Sequence, residues 1–280
     1  MKPNNKFTGL GKEFWANVRC LTPKIGYTQL GTNKIKTPTF VELLHALESY
    51  NLDSCYVKNE DSSPNEFGRL LLEYFSFRAE ILNDYVEPLL MDVEEARLIF
   101  DNMVNIYSPK CPLPMNKQKG EKKTHAYFTG IINMLIEANI YNYDVDYNPR
   151  KLTTITSDGI PIRTLSRWID GAFPSTVNPI AIWEIKEYYY TTTFGSRVAD
   201  GIYETQLDGM EIEELLLSTG IKVFHYLMID SHYTWWVGGK GYLCRIVDLL
   251  HMGLLDEVLF GKEVLERLPN IVNDWLKPLK

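Results

Sequence analysis

A short apolar segment in the middle of the chain carries a carboxylate and an ammonium group two residues apart. The segment reads I-A-I-W-E-I-K over residues 180–186 and has the composition of a β-strand. Because successive side chains of a strand point to opposite faces, Glu184 and Lys186 share one face, and the tryptophan and isoleucine beside them take the other. Asp170, upstream in the sequence, can add a second carboxylate from a neighbouring strand.

These three side chains together suit metal-assisted hydrolysis. Two carboxylates can hold a hard divalent cation such as Mg²⁺ through oxygen ligands. A lysine beside them can position or polarise the attacking water while the metal stabilises the developing charge. The sequence therefore predicts phosphodiester hydrolysis at Asp170, Glu184 and Lys186, with Mg²⁺ or Mn²⁺ as the cofactor.

The surrounding segments predict the elements that position these residues. Residues 125–140 carry apolar side chains at three- and four-residue steps, which predicts a helix. The β-branched run 152–156, the turn sequence S-D-G and the returning run 160–169 predict a hairpin whose second strand delivers Asp170. The later elements are predicted as a helix over 196–217, a strand over 221–229, a strand and turn over 235–239, and helical structure over 245–277.

The first hundred residues are predicted to be mostly helical. Helix start signals precede three apolar stripes, at Thr37-Pro38-Thr39, at Ser63-Pro64 and at Asp92. Stripes at this spacing are typical of core packing, so they predict a helical region without indicating what it binds.

A basic, proline-rich segment follows this region. Pro109, Pro112 and Pro114 break regular structure. Five lysines stand here against the single acidic residue Glu121, and they are Lys110, Lys117, Lys119, Lys122 and Lys123. Two interpretations stay open, a solvated interdomain linker and a basic strap that contacts phosphates. The predicted organisation is a helical region over 1–108, this linker over 109–124 and a catalytic domain over 125–280.

Composition sets wider bounds. The chain has 280 residues, of which 45% are hydrophobic and 23% charged, as in an ordinary soluble protein. We expect a cytoplasmic protein without a membrane partner, because no apolar run reaches bilayer length and the polar N-terminus lacks a signal core. The four cysteines show neither metal-ligand nor disulfide-framework spacing. The net charge of −7 argues against nonspecific binding of polyanions, although a nuclease needs only a local basic surface.

The order of predicted elements from His125 to Ile229 resembles the core of the PD-(D/E)xK nuclease superfamily. The matching residues are Asp170 and the pair Glu184-x-Lys186, and the match covers about a hundred residues of the C-terminal half. The superfamily usually has proline before the aspartate, where this chain has Ile169. The resemblance implies an α/β (α+β) fold, in which a helical N-terminal region precedes a mixed β-sheet flanked by helices.

The resemblance also implies roles for individual residues. Asp170 and Glu184 would be metal ligands, Lys186 would act on the water, and Glu137 would add a further metal ligand from the helix before the strands. The helix after the third core strand would contact DNA, and its candidate residues are Ser196, Arg197 and Gln206.

The function expected from these features is Mg²⁺-dependent cleavage of double-stranded DNA by a Type II-like restriction endonuclease in bacterial or phage defence. Cutting both strands of a palindromic site calls for two active sites, so a homodimer is expected. Two other classes stay open. One is an inactive nucleic-acid-binding module on the same fold, and the other is a structural subunit of a defence complex. A nuclease of methylated DNA is a variant of the main expectation.

Overall fold

The protein folds into a mixed α/β structure. A computed structural model describes residues 1–118, 121–140, 142–190 and 196–279. Within these ranges the chain forms eight α-helices, eleven short β-strands and a few 3₁₀- and π-helical turns. The helices and the five-stranded mixed sheet agree with the expected α+β class. None of the helices in these ranges is both long and apolar enough to cross a membrane.

Helices make up most of the N-terminal region, as predicted. They are α1 (Lys12–Ile25), α2 (Phe40–Ser49), α3 (Glu66–Glu80) and α4 (Val93–Tyr107). Two of the three predicted start signals act as N-caps: the Thr39 side chain forms a capping box with Glu42, and the Asp92 side chain accepts a hydrogen bond from the Glu95 N–H. At the third, Asn65 caps α3 directly after Ser63-Pro64. The buried stripes of α1, α2 and α3 form one shared core.

Short strands occur both between α1 and α2 and after α4, and four more helices lie among the later strands. The strands are β1 (Thr28–Gln29), β2 (Lys34–Ile35), β3 (Met115–Gln118), β4 (Glu121–His125), β5 (Asp146–Tyr147), β6 (Thr154–Ser157), β7 (Ile160–Thr164), β8 (Gly171–Phe173), β9 (Ala181–Glu187), β10 (Phe224–Asp230) and β11 (Glu257–Phe260). The helices are α5 (Tyr127–Asn139), α6 (Ser196–Thr219), α7 (Lys240–His251) and α8 (Glu263–Trp275). The predicted helices over 125–140 and 196–217 and the predicted strand over 221–229 are therefore confirmed, with small shifts of their ends.

Strand β9 lies at the centre of the five-stranded sheet, whose order is β11-β10-β9-β8-β5. It runs parallel to β10 on one side and antiparallel to β8 on the other. Its side chains alternate as predicted. Trp183 packs on the α5 and α8 side, where its ring stacks on that of Trp275 at 5.4 Å between centroids and 9° between planes. Ile182 packs on the opposite side, against α6.

The predicted hairpin forms, but it does not join this sheet. β6 and β7 make a separate two-stranded sheet around a turn in which Asp158 and Gly159 have positive φ. The returning strand ends at Thr164, well before Ile169, because the chain then bends and the Ser166 N–H and hydroxyl both bond to the Glu211 carboxylate. The antiparallel partner of β9 is instead the three-residue strand β8, which begins directly after Asp170.

Two predictions near the C-terminus are wrong in detail. Residues 233–237 form a π-helical turn and not a strand, and the Ser231 hydroxyl accepts a hydrogen bond from the Thr234 N–H at its start. The predicted helical stretch 245–277 is interrupted by β11, which pairs in parallel with β10. The sequence analysis missed this strand because the run E-V-L-F is too short to distinguish from a buried helix segment.

Candidate active site

Strand β9 places Glu184 and Lys186 side by side on the face of the sheet that α6 covers. The Glu184 side chain is fully buried, and Lys186 is 8% exposed. The Lys186 Nζ lies 2.8 Å from Glu184 Oε2. Burial acts against the charged form of Glu184, but the charges of Lys186 and Arg167 outweigh it and hold its pKa below the ordinary value.

Asp170 joins this pair from the start of β8. Its backbone N–H donates to Glu184 Oε1 at 3.2 Å, and its Oδ2 accepts from the Ile185 N–H at 2.8 Å. Burial, together with the nearby charge of Glu184, raises the pKa of Asp170 to about 6. The three residues singled out in the sequence are thus contiguous in space.

The close approach of β8 to β9 depends on a glycine. A Cβ atom at Gly171 would lie 2.0 Å from the Trp183 ring, far inside van der Waals contact. Only glycine therefore lets Asp170 enter the strand beside Glu184 without displacing the tryptophan.

Three further charged residues complete the cluster, and none of them was predicted. Arg167, in the bend after β7, lies 3.0 Å from Glu184 Oε1 and 2.6 Å from Asp208 Oδ2. Glu204 Oε2 lies 2.9 Å from Lys186 Nζ and 3.2 Å from Arg167 Nη2. We call these six residues the cleft cluster, and they are Arg167, Asp170, Glu184, Lys186, Glu204 and Asp208.

The cleft cluster holds two cations against four carboxylates. Asp208 is fully buried, and its Oδ1 atom has no hydrogen-bond partner among the described residues. Burial raises its pKa to about 7 in spite of the neighbouring Arg167. A sequence signal for part of the cluster does exist, because Asp200, Glu204 and Asp208 recur at four-residue steps and so share one face of α6.

A polar cleft of about 380 Å³ opens beside the cluster. Its walls come from β9, the two helices α5 and α6 and the base of the β3–β4 hairpin. They include Asn116, Thr129, Asp170, Lys186, Glu187, Tyr188, Arg197, Asp200 and Glu204. Polar side chains thus dominate the lining, as expected of a site for a charged substrate.

Glu187 is a further carboxylate on this cleft that the sequence analysis missed. One oxygen accepts from the N–H and the hydroxyl of Thr129, both at 3.0 Å, at the N-terminus of α5. The other oxygen is buried and has no hydrogen-bond partner among the described residues. Burial raises the pKa of Glu187 to about 7, although the hydrogen bonds from Thr129 act in the opposite direction.

The structure places Glu137 away from this cleft, contrary to its expected role as a metal ligand. Its carboxylate accepts from the Lys110 N–H at 3.2 and 3.0 Å. Glu137 lies eight residues beyond Thr129 on α5, which corresponds to about 12 Å along the helix axis. The helix before the strands was predicted correctly, but its C-terminal end points away from Asp170 and Glu184.

The expected DNA-contacting residues of α6 divide between two sides of the helix. Arg197 lines the cleft, with its guanidinium 5.9 Å from the centre of the Tyr188 ring. Ser196 begins the helix. Gln206 lies outside the cleft lining and accepts a hydrogen bond from Arg19 at 3.3 Å, so its contact with DNA stays a prediction.

The basic segment forms a hairpin beside the cleft. β3 and β4 pair antiparallel, with Lys117 opposite Lys122 and a bulge between Asn116 and Lys117. Lys123 belongs to β4 and is exposed, whereas Lys119 lies outside the described residues. The base of this hairpin, at Asn116 and Ala126, borders the cleft, and contact of its lysines with phosphates stays a prediction.

The carboxylates of the cluster suit a hard cation by their chemistry. Mg²⁺ is commonly held by one or two carboxylates, with waters and substrate phosphates as its other ligands. Asp170 and Glu184 supply such oxygens, and the raised pKa of Asp170 is relieved by an added positive charge. In the described ranges no group of three or more histidine, cysteine or acidic residues is arranged to enclose an ion.

Two families match the chain. Residues 91–275, more than half of the sequence, match a family described as domain of unknown function DUF7687. Residues 1–85 match a second family, described as domain of unknown function DUF7690. No curated protein and no solved structure matches significantly.

Proposed function

We propose that this chain, which belongs to the DUF7687 family, is a Mg²⁺-dependent endonuclease that hydrolyses phosphodiester bonds of DNA. The observation that carries the proposal is the junction of Asp170 with Glu184 and Lys186 on two adjoining strands, where Asp170 and Lys186 line a polar cleft and Glu184 lies buried behind them. A Type II-like restriction enzyme of bacterial or phage defence is the form of this activity that we favour, and Mn²⁺ is the alternative metal.

The order of the elements supports the proposal. Helix α5 precedes the antiparallel strands β5, β8 and β9, helix α6 follows, and β10 then pairs in parallel with β9. This is the sequence of elements that the resemblance to the PD-(D/E)xK superfamily implies. The two-stranded sheet of β6 and β7 is inserted between the first and second strands of this core.

In this proposal the charged residues have distinct roles. Asp170 and Glu184 bind the metal, which when bound polarises the scissile phosphate and stabilises negative charge. Lys186 stays protonated, because the charges of Glu184 and Asp170 outweigh burial and raise its pKa. It therefore donates hydrogen bonds that position the attacking water, and it does not accept the proton.

A different group must then take up the proton of the water. Glu187 lines the same cleft, has a buried oxygen without a hydrogen-bond partner among the described residues, and has a pKa of about 7. A carboxylate with a pKa close to the working pH is well matched to general-base catalysis. We assign the proton-accepting role to Glu187.

The substrate in this proposal is double-stranded DNA. Arg197 on the cleft wall and the lysines of the β3–β4 hairpin would contact its phosphates, as would the start of α6 at Ser196. A local basic surface of this kind is compatible with a net charge of −7. Two copies of the chain, each with one such site, would cut both strands.

The test is cleavage of methylated and unmethylated plasmid DNA in the presence of Mg²⁺, with sequencing of the ends. Glu184→Gln and Lys186→Met should abolish cleavage while circular dichroism and DNA binding stay close to those of the wild type. Glu213→Ala, an exposed glutamate on the same helix α6, is the matched control and should cut normally. Full cleavage by both cluster variants, or no cleavage by the wild type with any divalent metal, would refute the proposal.

One observation favours a second candidate, a nucleic-acid-binding module or structural subunit without activity. Both oxygens of Glu184 are already paired with cations, at 3.0 Å from Arg167 and 2.8 Å from Lys186. A buried ion-pair network of this kind is also found in proteins where its role is purely structural. DNA binding without metal-dependent cleavage would favour the module, and copurification of a stable partner without any nucleic-acid affinity would favour the subunit.

A further inference from the structure

A second cavity lies on the other side of α6, where the N-terminal helices meet the C-terminal half. Helix α1, the loop after it, α6 and α7 form its walls around a volume of about 240 Å³. We call it the interhelical pocket. Its lining residues are Arg19, Thr22, Pro23, Tyr27, Ile202, Tyr203, Gln206, Arg245, Asp248 and Leu249.

The interhelical pocket carries unbalanced positive charge. Arg19 bonds to the side-chain oxygen of Gln206 at 3.3 Å and to the sulfur of Met252 at 3.4 Å, both of them neutral acceptors. Arg245 donates to the hydroxyl groups of Tyr27 and Tyr203, each at 3.4 Å, and its guanidinium lies 5.6 Å from the centre of the Tyr242 ring. Neither guanidinium has a carboxylate within 4.0 Å among the described residues.

The one carboxylate on the pocket wall does not neutralise these arginines. Asp248 is 5% exposed, and both of its oxygens lie 3.0 Å from Arg78 in the interior. The Tyr74 hydroxyl donates to one of the same oxygens at 2.5 Å. Two arginines thus face the cavity with their charge available, on a chain whose net charge is −7.

The remaining walls suit a flat ring. The aromatic side chains of Tyr27 and Tyr203 line the pocket, together with the apolar residues Ile202, Leu249 and Pro23. Arginine and tyrosine together recognise nucleotides, because guanidinium groups pair with phosphate and both side chains stack on bases. The volume lies below the roughly 300–1,000 Å³ of sites for drug-sized ligands, so the pocket holds one nucleotide unit at most.

We propose that the interhelical pocket binds a single nucleotide unit, with its phosphate on Arg19 and Arg245 and its base against the tyrosines. The choice of a nucleotide over another aromatic anion rests on the proposed function. The same chemistry is offered by a free mononucleotide and by a nucleotide extruded from a DNA strand. Because Tyr203 and Glu204 are neighbours on α6, the pocket shares one helix with the cleft cluster.

The test is calorimetric titration of the full chain in EDTA, where no metal-dependent cleavage takes place. The four deoxynucleoside 5′-monophosphates, inorganic phosphate, unphosphorylated deoxynucleosides and a short single-stranded oligonucleotide are compared. We expect one site per chain, with at least one monophosphate or the oligonucleotide bound about tenfold more tightly than phosphate or nucleoside alone.

Two variants tie this binding to the pocket. Arg245→Lys keeps the charge but removes the planar guanidinium, and Arg19→Ala removes an exposed cation. Each should weaken binding about tenfold or more, whereas Arg69→Ala, an exposed arginine on α3, should leave it unchanged. Folding of each variant is checked by circular dichroism.

The two sources of the nucleotide give different outcomes. Binding of a free monophosphate assigns the pocket to mononucleotides, and binding of the oligonucleotide alone assigns it to a strand. Absence of both, or binding that neither arginine variant weakens, overturns the inference. Plasmid cleavage is measured on the same proteins. Absence of nucleotide binding by a wild type that cleaves normally overturns this inference and leaves the proposed function standing, whereas nucleotide binding that the arginine variants weaken, by a wild type that does not cleave, refutes the proposed function alone.

Discussion

Two buried ion clusters in this protein differ in how completely their charges are balanced. Between α3 and α7, Arg78 pairs with Asp248 at 3.0 Å, the Tyr74 hydroxyl donates to the same carboxylate, and all three side chains are almost fully buried. The cleft cluster holds two cations against four carboxylates, and one of its walls is open to solvent. One cluster is neutral and enclosed, and the other has negative charge in excess.

The difference separates a structural ion pair from a site that can accept a ligand. A buried pair that satisfies its own charges gains nothing from an added ion, and breaking it leaves an uncompensated charge. A buried cluster with excess carboxylate keeps some of them at raised pKa values, about 6 for Asp170 and about 7 for Asp208. A cation would relieve that cost, so the cleft cluster is the one suited to binding and the interior pair is the one suited to stability.

The largest expected effect is loss of stability in the interior. Arg78→Met leaves the Asp248 carboxylate buried without its cation, which should lower the free energy of unfolding by about 3–5 kcal/mol. Urea unfolding measures this change. The double variant Arg78→Met/Asp248→Leu should recover a large part of the loss, and cleavage per folded molecule should stay within a few-fold of the wild type. If Arg78→Met lost cleavage activity but kept the stability of the wild type, the interior pair would not be a purely structural one.

The opposite pattern is expected at the cleft. Asp170→Asn keeps the shape of the side chain but removes a charge that burial disfavours, so stability at pH 8 should be unchanged or higher by up to about 1 kcal/mol. Cleavage should nevertheless fall by about 10²–10³-fold, because Asp170 is a metal ligand in the proposed function. Initial cleavage rates at saturating Mg²⁺, with urea unfolding of the same sample, measure both. A stability loss as large as that of Arg78→Met would place Asp170 among the structural residues.

The pH dependence of stability sharpens the same contrast. The pKa of Asp208 is raised to about 7 from an ordinary 3.8, so the folded state holds this proton more tightly than the unfolded state. The resulting stabilisation is complete below about pH 4 and is lost as pH rises through about 7. In EDTA, Asp208→Asn should therefore lose less stability between pH 5 and pH 8 than the wild type, by on the order of 2 kcal/mol. Parallel pH profiles for the two proteins would mean that Asp208 is ionised throughout.

The smallest effect is expected at Glu137. Glu137→Gln retains an acceptor for the Lys110 N–H, so stability should change by less than about 1 kcal/mol and cleavage by less than a few-fold. The same cleavage and urea assays apply. A hundredfold loss of cleavage would restore Glu137 to the active site and would show that α5 moves when substrate binds.

The features that were predicted correctly from the sequence are those that depend on the local periodicity of helices and strands. The alternation of β9 separates Glu184 and Lys186 from Trp183 because the pleat of a strand fixes which residues share a face. Asp170 was correctly predicted to lie beside them. It was expected at the end of the hairpin strand over 160–169, but it lies at the start of β8. The hairpin before it looks like a sheet partner in sequence, and only the bend held by Ser166 and Glu211 detaches it.

Local sequence patterns did not predict which distant segments contact each other. The four-residue recurrence of Glu204 and Asp208 defines a helix face but does not say that this face meets β9 and Arg167. The same helix geometry separates Gln206 from Arg197, because nine residues along a helix place the two side chains on opposite sides of α6. Glu137 lies on a helix that was predicted correctly. The spacing of apolar residues along that helix does not show which of its ends lies near Asp170 and Glu184.

The stacked tryptophans behind the active strand give the protein an optical reporter of its own site. The rings of Trp183 and Trp275 stack with 5.4 Å between their centroids and 9° between their planes. We expect their indole transitions to couple and to contribute a paired feature to the circular dichroism spectrum. The edge of the Trp183 ring is covered by the backbone of Gly171, directly next to Asp170. Any event that shifts β8 against β9, such as cation binding at the carboxylates, changes the geometry of this chromophore pair without the need for an introduced label.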